Sequence, residues 1–399
     1  MAFRTVTSAF TDSDGDITAL AGNGDWSPRT SGDVVTDIVA GLHHYVAVVP
    51  GESPADIHVV RGSGGRFLRT TADTGEANNL DELPDALTTF LPEFLGDHPD
   101  DEQTNWSDNL QGVTHSADHW FFTQMTKLLK FASTTDLTQD SQAAVARADM
   151  PKSLGALDCD HFGDPDYLEW DGHGYIFVPV EGSGGVCGSQ PVLAVFEDLG
   201  TEIAFVGSGP LPSQNALRGT ARAGWCAFDP ETLLLHSSHN EIGPGLPVFR
   251  YNVDLDGLAM GKVVVVPASD LILRIGRQRL TIPQYLQGGC FSPRGHLFLL
   301  SGKGGDHEGR GGIRVFDRDG SLLCRSSPRE RPFLYEYHSG ALEGGEEPEG
   351  LTFWDVDALP AGQRPPSVHG QLHAILLNND FPDKDNFFFK HYAVAAGTL

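Results

Sequence analysis

The part of the sequence that follows residue 108 repeats one short pattern at a long interval. Each copy has a polar or glycine-containing entry, a short apolar segment, a turn and a second apolar segment. Aligned on one anchor residue per copy, the copies are 53, 60, 64 and 61 residues apart by subtraction, and the anchors are Gly112, Pro165, Trp225, Gly289 and Gly350. Repetition at such a period indicates a supersecondary unit that packs against neighbouring copies of itself.

Each interval contains about four segments rich in Val, Ile, Phe and Leu, separated by clusters of Gly, Pro, Asp and Asn. Such segments predict β-strands, and four strands per repeat are typical of a propeller blade. We therefore predict a mainly β fold, with a β-propeller of five four-stranded blades over residues 106–399. Six blades would fit if one interval contained a degenerate copy.

The first hundred residues lie outside this repeat. Residues 16–20 predict a strand, Trp26-Ser27-Pro28 begins a segment with apolar residues at helical spacing, and residues 44–49, 56–60 and 66–70 alternate as strands do. We predict a small α/β domain over residues 1–85. A linker is predicted over residues 86–105, which contain Pro92, Pro99 and an acidic run.

Several phrases of this segment resemble a small bacterial domain of unknown function. They are Gly15-Asp16-Ile17-Thr18-Ala19-Leu20, the Trp26-Ser27-Pro28 helix start, Tyr45, Gly65-Arg66-Phe67-Leu68-Arg69-Thr70 and Asn78-Asn79-Leu80-Asp81-Glu82-Leu83-Pro84. The resemblance covers about a fifth of the chain. It implies a domain boundary and no chemistry.

The formal net charge of −27 limits the partners that this chain can bind. Duplex DNA and anionic membranes are bound mainly by Lys and Arg, so we expect no nucleic-acid and no membrane partner. A small-molecule ligand or a cation is a better match. With no apolar signal segment and no long apolar window, the sequence predicts a cytoplasmic protein. Five widely spaced cysteines predict no disulfide framework, and Cys226 and Cys290 are expected to pack in the core.

The innermost strands of a propeller converge on one axis, so the residues that precede the anchors should meet there. These residues are Gln111, Asp164, Gly224, Gly288 and Glu349. The oxygen ligands Gln111, Asp164 and Glu349, with Glu346 nearby, would suit calcium or magnesium. Zinc, iron or manganese would be favoured if His161 were a ligand too. An exposed acidic loop is the alternative for Glu346 and the preferred interpretation of Glu347.

The segment from Asp158 to Tyr167 concentrates four carboxylates and one imidazole beside a strand. His161 could bind a metal or act as a general base, with Asp166 as a second acid–base candidate. The same residues could instead form turns that cap the strand, and the sequence leaves both interpretations open.

Four further residues are candidates at the mouth of the channel. His115 is a catalytic candidate, whereas Trp225, Gln287 and His239 are candidates for substrate binding. A buried packing role is the alternative for Trp225. The sequence contains no nucleophile elbow, phosphate-binding loop, zincin motif or dinucleotide fingerprint, which argues against those enzyme classes.

The repeat region resembles bacterial propellers with a polar central funnel, a class that includes lactonases, glycosidases, phytases and lyases. The likeness is one of architecture, and architecture does not determine function. We predict a metal-assisted hydrolase or lyase that acts on a small polar molecule. The alternative is a non-catalytic binding or scaffold protein with a structural ion in its channel.

Overall fold

The computed structural model describes most of the chain. The described residues are 2–11, 17–22, 26–27, 29–49, 53–62, 65–70, 80, 83, 92–100, 104, 106–138, 143–212, 222–275, 278–282, 285–302, 311–325, 347–378 and 386–394. Their secondary structure is mainly β, as predicted.

In its described residues, the N-terminal unit combines one helix with two small sheets. Its elements are β1 (Ala2–Val6), β2 (Ser8–Thr11), β3 (Ile17–Ala21), β4 (Arg29–Thr30), α1 (Ser31–Val39), β5 (His43–Ala47), β6 (Ala55–Gly62) and β7 (Gly65–Thr70). One sheet has the order β1-β5-β6-β7, with β1 parallel to β5, and the other has the order β2-β3-β4. These elements lie within the region for which a small α/β domain was predicted.

A buried carboxylate ties α1 to the larger sheet. The Thr30 side chain caps α1 by accepting the N–H of Asp33 at 3.2 Å, which directs Asp37 inward. Asp37 accepts hydrogen bonds from Arg29 at 2.5 Å and from the Tyr45 hydroxyl at 2.6 Å. The bond from Arg29 lowers the pKa of Asp37 to about 2. Tyr45 is therefore a structural residue of this domain.

Five further sheets follow. β8 (Glu93–Asp97) belongs to the last of them. The first contains β9 (Leu110–His115), β10 (His119–Gln124), β11 (Lys127–Ala132) and β12 (Ala146–Asp149). A short helix, α2 (Lys152–Gly155), leads to the second, which contains β13 (His161–Phe162), β14 (Asp166–Trp170), β15 (His173–Glu181), β16 (Val192–Asp198) and β17 (Ile203–Pro210).

The third sheet contains β18 (Cys226–Phe228), β19 (Leu235–Gly243), β20 (Leu246–Val253) and β21 (Val265–Pro267), and the short pair β22 (Arg274–Ile275) and β23 (Gln278–Arg279) follows it. The fourth contains β24 (Leu286–Phe291), β25 (Leu297–Ser301), β26 (Gly312–Phe316) and β27 (Leu322–Arg325). The fifth contains β28 (Glu347–Phe353), β29 (Leu372–Asn378), β30 (Asn386–Ala393) and β8. Two 3-10 turns cover Leu258–Met260 and Val356–Ala358.

The strand β8 joins distant parts of the sequence. It pairs antiparallel with β30, so that Lys390 lies opposite Asp97, and it forms the outer edge of the fifth sheet. The predicted linker over residues 86–105 therefore contains a strand of the repeat region. Sequence analysis missed it because one five-residue strand carries too little pattern.

The inner strands β9, β14, β18, β24 and β28 contact one another in that order, and β28 also contacts β9. The apolar core follows the same order, because five clusters of buried side chains each lie between successive sheets. One cluster joins the fifth sheet to the first through Phe387 and Phe122. Another, between the fourth and fifth sheets, includes Phe10 and Ala21 of the N-terminal unit. The fold is propeller-like, and the N-terminal unit packs on its side.

One expectation about cysteine was wrong. A disulfide joins Cys159 to Cys187, whereas Cys226, Cys290 and Cys324 are buried thiols. The two partners are 28 residues apart and are brought together because β13 and β15 pair antiparallel, with His161 opposite Glu181, so the segments just outside this pair meet. Among the described helices, none has the length and apolarity needed to cross a bilayer.

Candidate active site at the ends of the inner strands

A cavity of about 320 Å³ lies where the five inner strands begin. Its size is at the lower end of the range for small-molecule pockets. All five sheets contribute to its lining, which consists of Asn109, Gln111, His161, Gly163, Glu181, Arg222, Gly224, Asn240, Tyr285, Gln287, Glu347, Glu349 and Leu377.

The lining is organised in two layers. The residues of the outer layer precede those of the inner layer by two positions, because alternate residues of a strand share a face. The outer layer contains Asn109, His161, Arg222, Tyr285 and Glu347, and the inner layer contains Gln111, Gly163, Gly224, Gln287 and Glu349. Two of the inner-layer positions, Gly163 and Gly224, are glycines and contribute no side chain to the cavity.

Three of the inner-layer side chains stand at β-bulges. In the first sheet Gly112 pairs with Thr123 and Leu110 pairs with Gln124, so Gln111 has no partner in the ladder. The same irregularity leaves out Gln287 in the fourth sheet and Glu349 in the fifth. A bulge re-aims the extra side chain, and its repetition at equivalent positions directs three polar groups toward the cavity.

The fully buried carboxylate of Asp164 forms the floor below the inner layer. It accepts three backbone N–H groups from three different inner strands: Val113 at 2.9 Å, Gly289 at 3.1 Å and Leu351 at 3.1 Å. Its own backbone bridges to the third sheet beside Trp225. Burial raises the pKa of Asp164 well above its usual range, and the three donors act in the opposite direction.

Glycines allow the inner strands to approach Asp164 this closely. A Cβ on Gly112 would lie 2.3 Å from the Asp164 Cα, and a Cβ on Gly350 would lie 2.6 Å from the Gly112 Cα. Both contacts are with backbone, which cannot rotate away. The anchor glycines of the repeat are thus required where the inner strands converge.

Glu349 is a buried carboxyl group in this cavity. Gln287 donates a hydrogen bond from Nε2 to its Oε2. Burial, reinforced by the neighbouring carboxylate of Glu347, raises the pKa of Glu349 well above its usual range. A raised pKa favours the protonated form of a carboxyl group, which can donate a proton to a bound molecule.

The neighbouring Gln111 side chain determines the tautomer of His161. The Gln111 Nε2 donates to the Leu110 carbonyl at 3.0 Å, so the Gln111 Oε1 is the atom that faces His161 Nε2. The imidazole therefore carries its proton on Nε2 and its lone pair on Nδ1. Burial lowers the pKa of His161, which keeps the ring neutral and able to accept a proton.

A second acidic side chain on the cavity wall is held in place by two hydrogen bonds. Glu181 accepts one from the Arg222 guanidinium at 3.0 Å and another from the Ala223 N–H at 3.0 Å. The two donors fix the orientation of its carboxyl group. Glu181 also lies opposite His161 in the β13–β15 ladder, next to the disulfide of Cys159 and Cys187.

Of the predicted site residues, Gln111, His161, Gln287 and Glu349 line the cavity. Asp164 lies beneath it. Glu346 falls outside the described residues. His239 is partly buried on β19, where its neighbour Asn240 reaches the cavity instead.

Three other candidate residues lie away from the cavity and make packing or hydrogen-bond contacts within the fold. The His115 ring stacks on Trp354 at 4.5 Å, and burial lowers its pKa to about 4. Asp166 accepts the N–H of Phe228 at 2.7 Å, which ties the second sheet to the third, and burial raises its pKa to about 7. Trp225 is fully buried and donates to Ser238 at 2.8 Å. These geometries do not support catalysis by His115 or Asp166, or ligand stacking on Trp225.

Sequence analysis missed Glu181, Arg222, Tyr285 and Asn240, and it assigned Glu347 to an exposed loop. The structure places Glu347 in the outer layer of the cavity. Glu347, Tyr285 and Asn109 each lie two positions before a bulge residue, so the repeat relates them to one another. The sequence shows this period, but it does not show where the bulges are.

The described residues do not fit the predicted metal set. Both oxygens of Asp164 accept N–H donors, whose positive ends occupy the places that a cation would need. No group of three or more His, Cys, Asp or Glu side chains in the described part of the chain is arranged to hold a metal ion. Metal binding stays a prediction, and no step below depends on it.

Comparison with known proteins gives a family for the N-terminal unit. Residues 4–84 match the model for "Protein of unknown function (DUF3892)", in agreement with the resemblance noted from the sequence. No curated protein matches the chain.

Similar solved structures include glycoside hydrolases. The chain is similar to a GH43_1 enzyme from Xanthomonas citri, at 11% identity and a TM-score of 0.42, over 79% of this chain and 94% of that one. It is also similar to an alpha-L-arabinanase from Cellvibrio cellulosa, at 14% identity and a TM-score of 0.35, over 69% and 94%. A DUF4623 family protein from Bacteroides eggerthii matches at 9% identity and a TM-score of 0.32, over 97% and 91%. At these values the likeness carries no argument about activity.

Proposed function

We propose that the five sheets form a closed five-bladed β-propeller whose axial cavity is a catalytic site for a small polar molecule. Two observations support the closed ring: the cyclic contacts of the inner strands and the apolar cluster shared by the fifth and first sheets. The outer strand β8 would fasten the ring, since it precedes the first blade in sequence and pairs within the last.

The proposed chemistry is acid–base catalysis of hydrolysis or elimination. Glu349 donates its proton to the leaving oxygen, and His161 Nδ1 accepts a proton from the attacking water or from the substrate carbon. The observation that carries this proposal is that Glu349 and His161 line one cavity, where burial raises the pKa of the carboxyl and lowers the pKa of the imidazole. Both shifts favour the uncharged forms, which are a proton donor and a proton acceptor.

The amides of the cavity suggest the substrate class. Asn109, Gln111, Asn240 and Gln287 line its wall, and amides both donate to and accept from hydroxyl groups. A neutral, hydroxyl-rich molecule of about one sugar ring would match these groups and the cavity volume. A sugar derivative with a hydrolysable or eliminable bond is therefore the proposed substrate.

Turnover of nitrophenyl glycosides and of sugar lactones tests this proposal. We expect Glu349→Gln and His161→Gln each to lower kcat by at least about a hundredfold, the usual contribution of a positioned acid or base. Glu169→Gln, which changes an exposed glutamate on β14, is the matched control and should retain full activity. Equal turnover by Glu349→Gln and the unaltered protein would refute the role of Glu349.

A second candidate function is ligand binding without catalysis. It is favoured by the hydrogen bonds that the cavity residues make among themselves, Gln111 with His161 and Gln287 with Glu349, which would complete a structural ring. Saturable binding of a sugar with no turnover by the unaltered protein would support it. This candidate function does not require the structural ion of the sequence-based alternative, because Asp164 already accepts N–H donors from three inner strands.

A further inference from the structure

Tyr285 has an unusual backbone conformation in the outer layer of the cavity. Its φ is 55°, which lies in the left-handed region that residues with bulky side chains rarely adopt. The cost of this conformation comes from the contact between the Cβ atom and the residue's own backbone. Glycine has no Cβ, and asparagine tolerates the conformation better than tyrosine does.

The equivalent residue of the first sheet shows which side chain this backbone favours. Asn109 has a φ of 53° and, like Tyr285, precedes a bulge residue by two positions. Asparagine is one of the few residue types that adopt the left-handed conformation routinely. An asparagine at position 285 would therefore suit the backbone better than tyrosine, so the local backbone does not account for a tyrosine there.

The fourth sheet fixes the strained backbone of Tyr285. Its carbonyl accepts the N–H of Gly302 at 3.0 Å, and the next residue, Leu286, pairs with Ser301. The conformation cannot relax without loss of these bonds. Strain that the surrounding structure maintains in this way is concentrated at active sites and ligand clamps. The side chain of Tyr285 is therefore a candidate for contact with a ligand.

The other residues of the cavity lining show what this side chain adds. Tyr285 supplies the only six-membered aromatic ring among the described residues that line the cavity, and it is partly exposed. In the two-layer lining it precedes Gln287, which donates a hydrogen bond to Glu349. A ligand that contacts the Tyr285 ring would therefore lie over Gln287 and beside Glu349.

We propose that Tyr285 is a specificity-determining residue that packs against the C–H face of a pyranose ring, so that the cavity prefers cyclic sugars to open-chain polyols. This inference rests on the proposed function, because it assigns a shape to the proposed sugar. A pyranose with equatorial hydroxyls has polar edges and an apolar face of C–H groups. The amides of the wall match the edges, and the negative face of the phenol ring matches the C–H groups. An open-chain polyol has the hydroxyls without the face.

A planar aromatic ligand is the competing occupant, and the observations favour it less. Such a ligand could also stack on Tyr285. It would, however, offer few hydrogen-bonding groups to the four amides of the wall. Polar groups that lose water without gaining a partner weaken binding. A sugar ring satisfies both the aromatic side chain and the amides.

NMR titrations of the full chain with four probes test the proposal: methyl β-D-glucopyranoside, methyl β-D-xylopyranoside, glucitol and xylitol. We expect each pyranoside to bind at least about tenfold more tightly than the corresponding polyol, as the loss of an aromatic contact would predict. Saturation transfer should pass from the Tyr285 ring to the C–H protons of the pyranosides.

Two substitutions at position 285 separate the ring from the hydroxyl and from the backbone. Tyr285→Phe keeps the ring and should keep the preference for pyranosides. Tyr285→Asn should abolish the preference, yet it should unfold at no lower urea concentration than the unaltered protein, because asparagine suits the left-handed backbone. Earlier unfolding of Tyr285→Asn would show that the ring supports the fold, and it would overturn the proposal.

Leu233→Asn is the matched control. Leu233 has a φ of 53° in the turn between β18 and β19, at the opposite ends of the inner strands from the cavity. This substitution relieves the same kind of strain and should leave the binding of all four probes unchanged. The proposal is overturned by equal binding of pyranosides and polyols, by no binding of any probe, by an unchanged preference in Tyr285→Asn, by a lost preference in Tyr285→Phe or Leu233→Asn, or by tighter binding of benzyl alcohol.

The variant Glu349→Gln distinguishes this inference from the proposed catalysis. Binding of the pyranosides should retain its preference in this variant, although turnover is lost. If the preference persists while Glu349→Gln turns over substrate normally, the role of Tyr285 is supported and that of Glu349 is refuted. If turnover is lost in Glu349→Gln while the unaltered protein shows no preference, the reverse holds.

Discussion

The floor and the wall of the axial cavity are built from the same inner strands, only one or two residues apart, yet they differ in what their side chains do. At the floor Asp164 is enclosed by backbone N–H groups and by glycines that leave no space. At the wall, Gln111, Gln287 and Glu349 face an open volume. Residues that hold the strands together are thus separated from residues that could contact a ligand. Substitutions at the two levels should have different consequences.

The largest expected effect is the loss of stability in Asp164→Asn. An asparagine would keep one acceptor and would turn an NH2 group toward backbone N–H donors, leaving buried groups unsatisfied at about 1–3 kcal/mol each. We expect the free energy of unfolding to fall by roughly 4 kcal/mol, measured by urea denaturation. Asp171→Asn is the control, since that residue is exposed and Asn tolerates its left-handed backbone. A change at Asp164 below about 1 kcal/mol would show that the floor contributes little.

Gly112→Ala should cost slightly less. The added Cβ would lie 2.3 Å from the Asp164 Cα, and overpacking of this kind destabilises by up to about 3 kcal/mol. The same measurement on Gly362→Ala gives the comparison, because a Cβ there meets nothing within 4 Å. Equal stability of the two variants would contradict the tight contact between the first and second sheets.

Acid should destabilise the far ends of the inner strands. The pKa of His115 is about 4 in the folded chain because burial disfavours the charged ring, against 6.5 for an unperturbed histidine. The stabilising contribution of this neutral ring is complete above pH 6.5 and is lost as the pH falls toward 4. By linkage, His115→Gln should remove about 2 kcal/mol of the stability change between neutral pH and about pH 4.5.

The exposed His369 provides the control for this titration. Unfolding curves of His369→Gln across the same pH range should differ little from those of the unaltered protein, because its exposed ion pair with Asp357 is worth less than about 1 kcal/mol. If His115→Gln did the same, the ring would have to be accessible to water.

The smallest effect on stability is expected at the cavity wall. In Glu349→Gln an uncharged amide replaces a carboxyl whose raised pKa favours its uncharged form in acid, so the free energy of unfolding at pH 4 to 5 should change by less than about 1 kcal/mol. Because the folded pKa of Glu349 is raised, its contribution to stability is complete below 4.5, the unperturbed value, and decreases as the pH rises. The variant should therefore lose part of the decline in stability toward alkaline pH. A large loss of stability at every pH would assign Glu349 to the floor.

The repeat in the sequence was sufficient to predict the propeller-like sheets and the importance of the anchors, and Gly112, Gly289 and Gly350 do meet near the axis. It was not sufficient to predict which residues face the cavity. The residue immediately before each anchor was expected to face the cavity, which gave Gly288 and Asp164. The structure instead places Gln287 and Gly163 in the cavity lining. In the first and fifth sheets the bulge residue immediately precedes the anchor, whereas in the fourth sheet the bulge residue Gln287 lies two positions before Gly289. The position of a bulge depends on how neighbouring strands pair, which the repeat alone does not show.

Glu347 illustrates the same limit. A run of glutamates beside glycines has the composition of a solvated loop. Only the structure shows that Glu347 lines the cavity. The disulfide between Cys159 and Cys187 was equally hidden, because spacing alone cannot show that two chain segments meet.

The pairing of β8 with β30 has a consequence for synthesis of the protein. The strand at residues 93–97 leaves the ribosome nearly three hundred residues before its partner at 386–393, so the fifth sheet cannot be completed during most of translation. Until β30 is synthesised, β8 has no partner strand on the nascent chain. An unpaired strand can associate with other chains, so we expect chaperones to protect it during this interval.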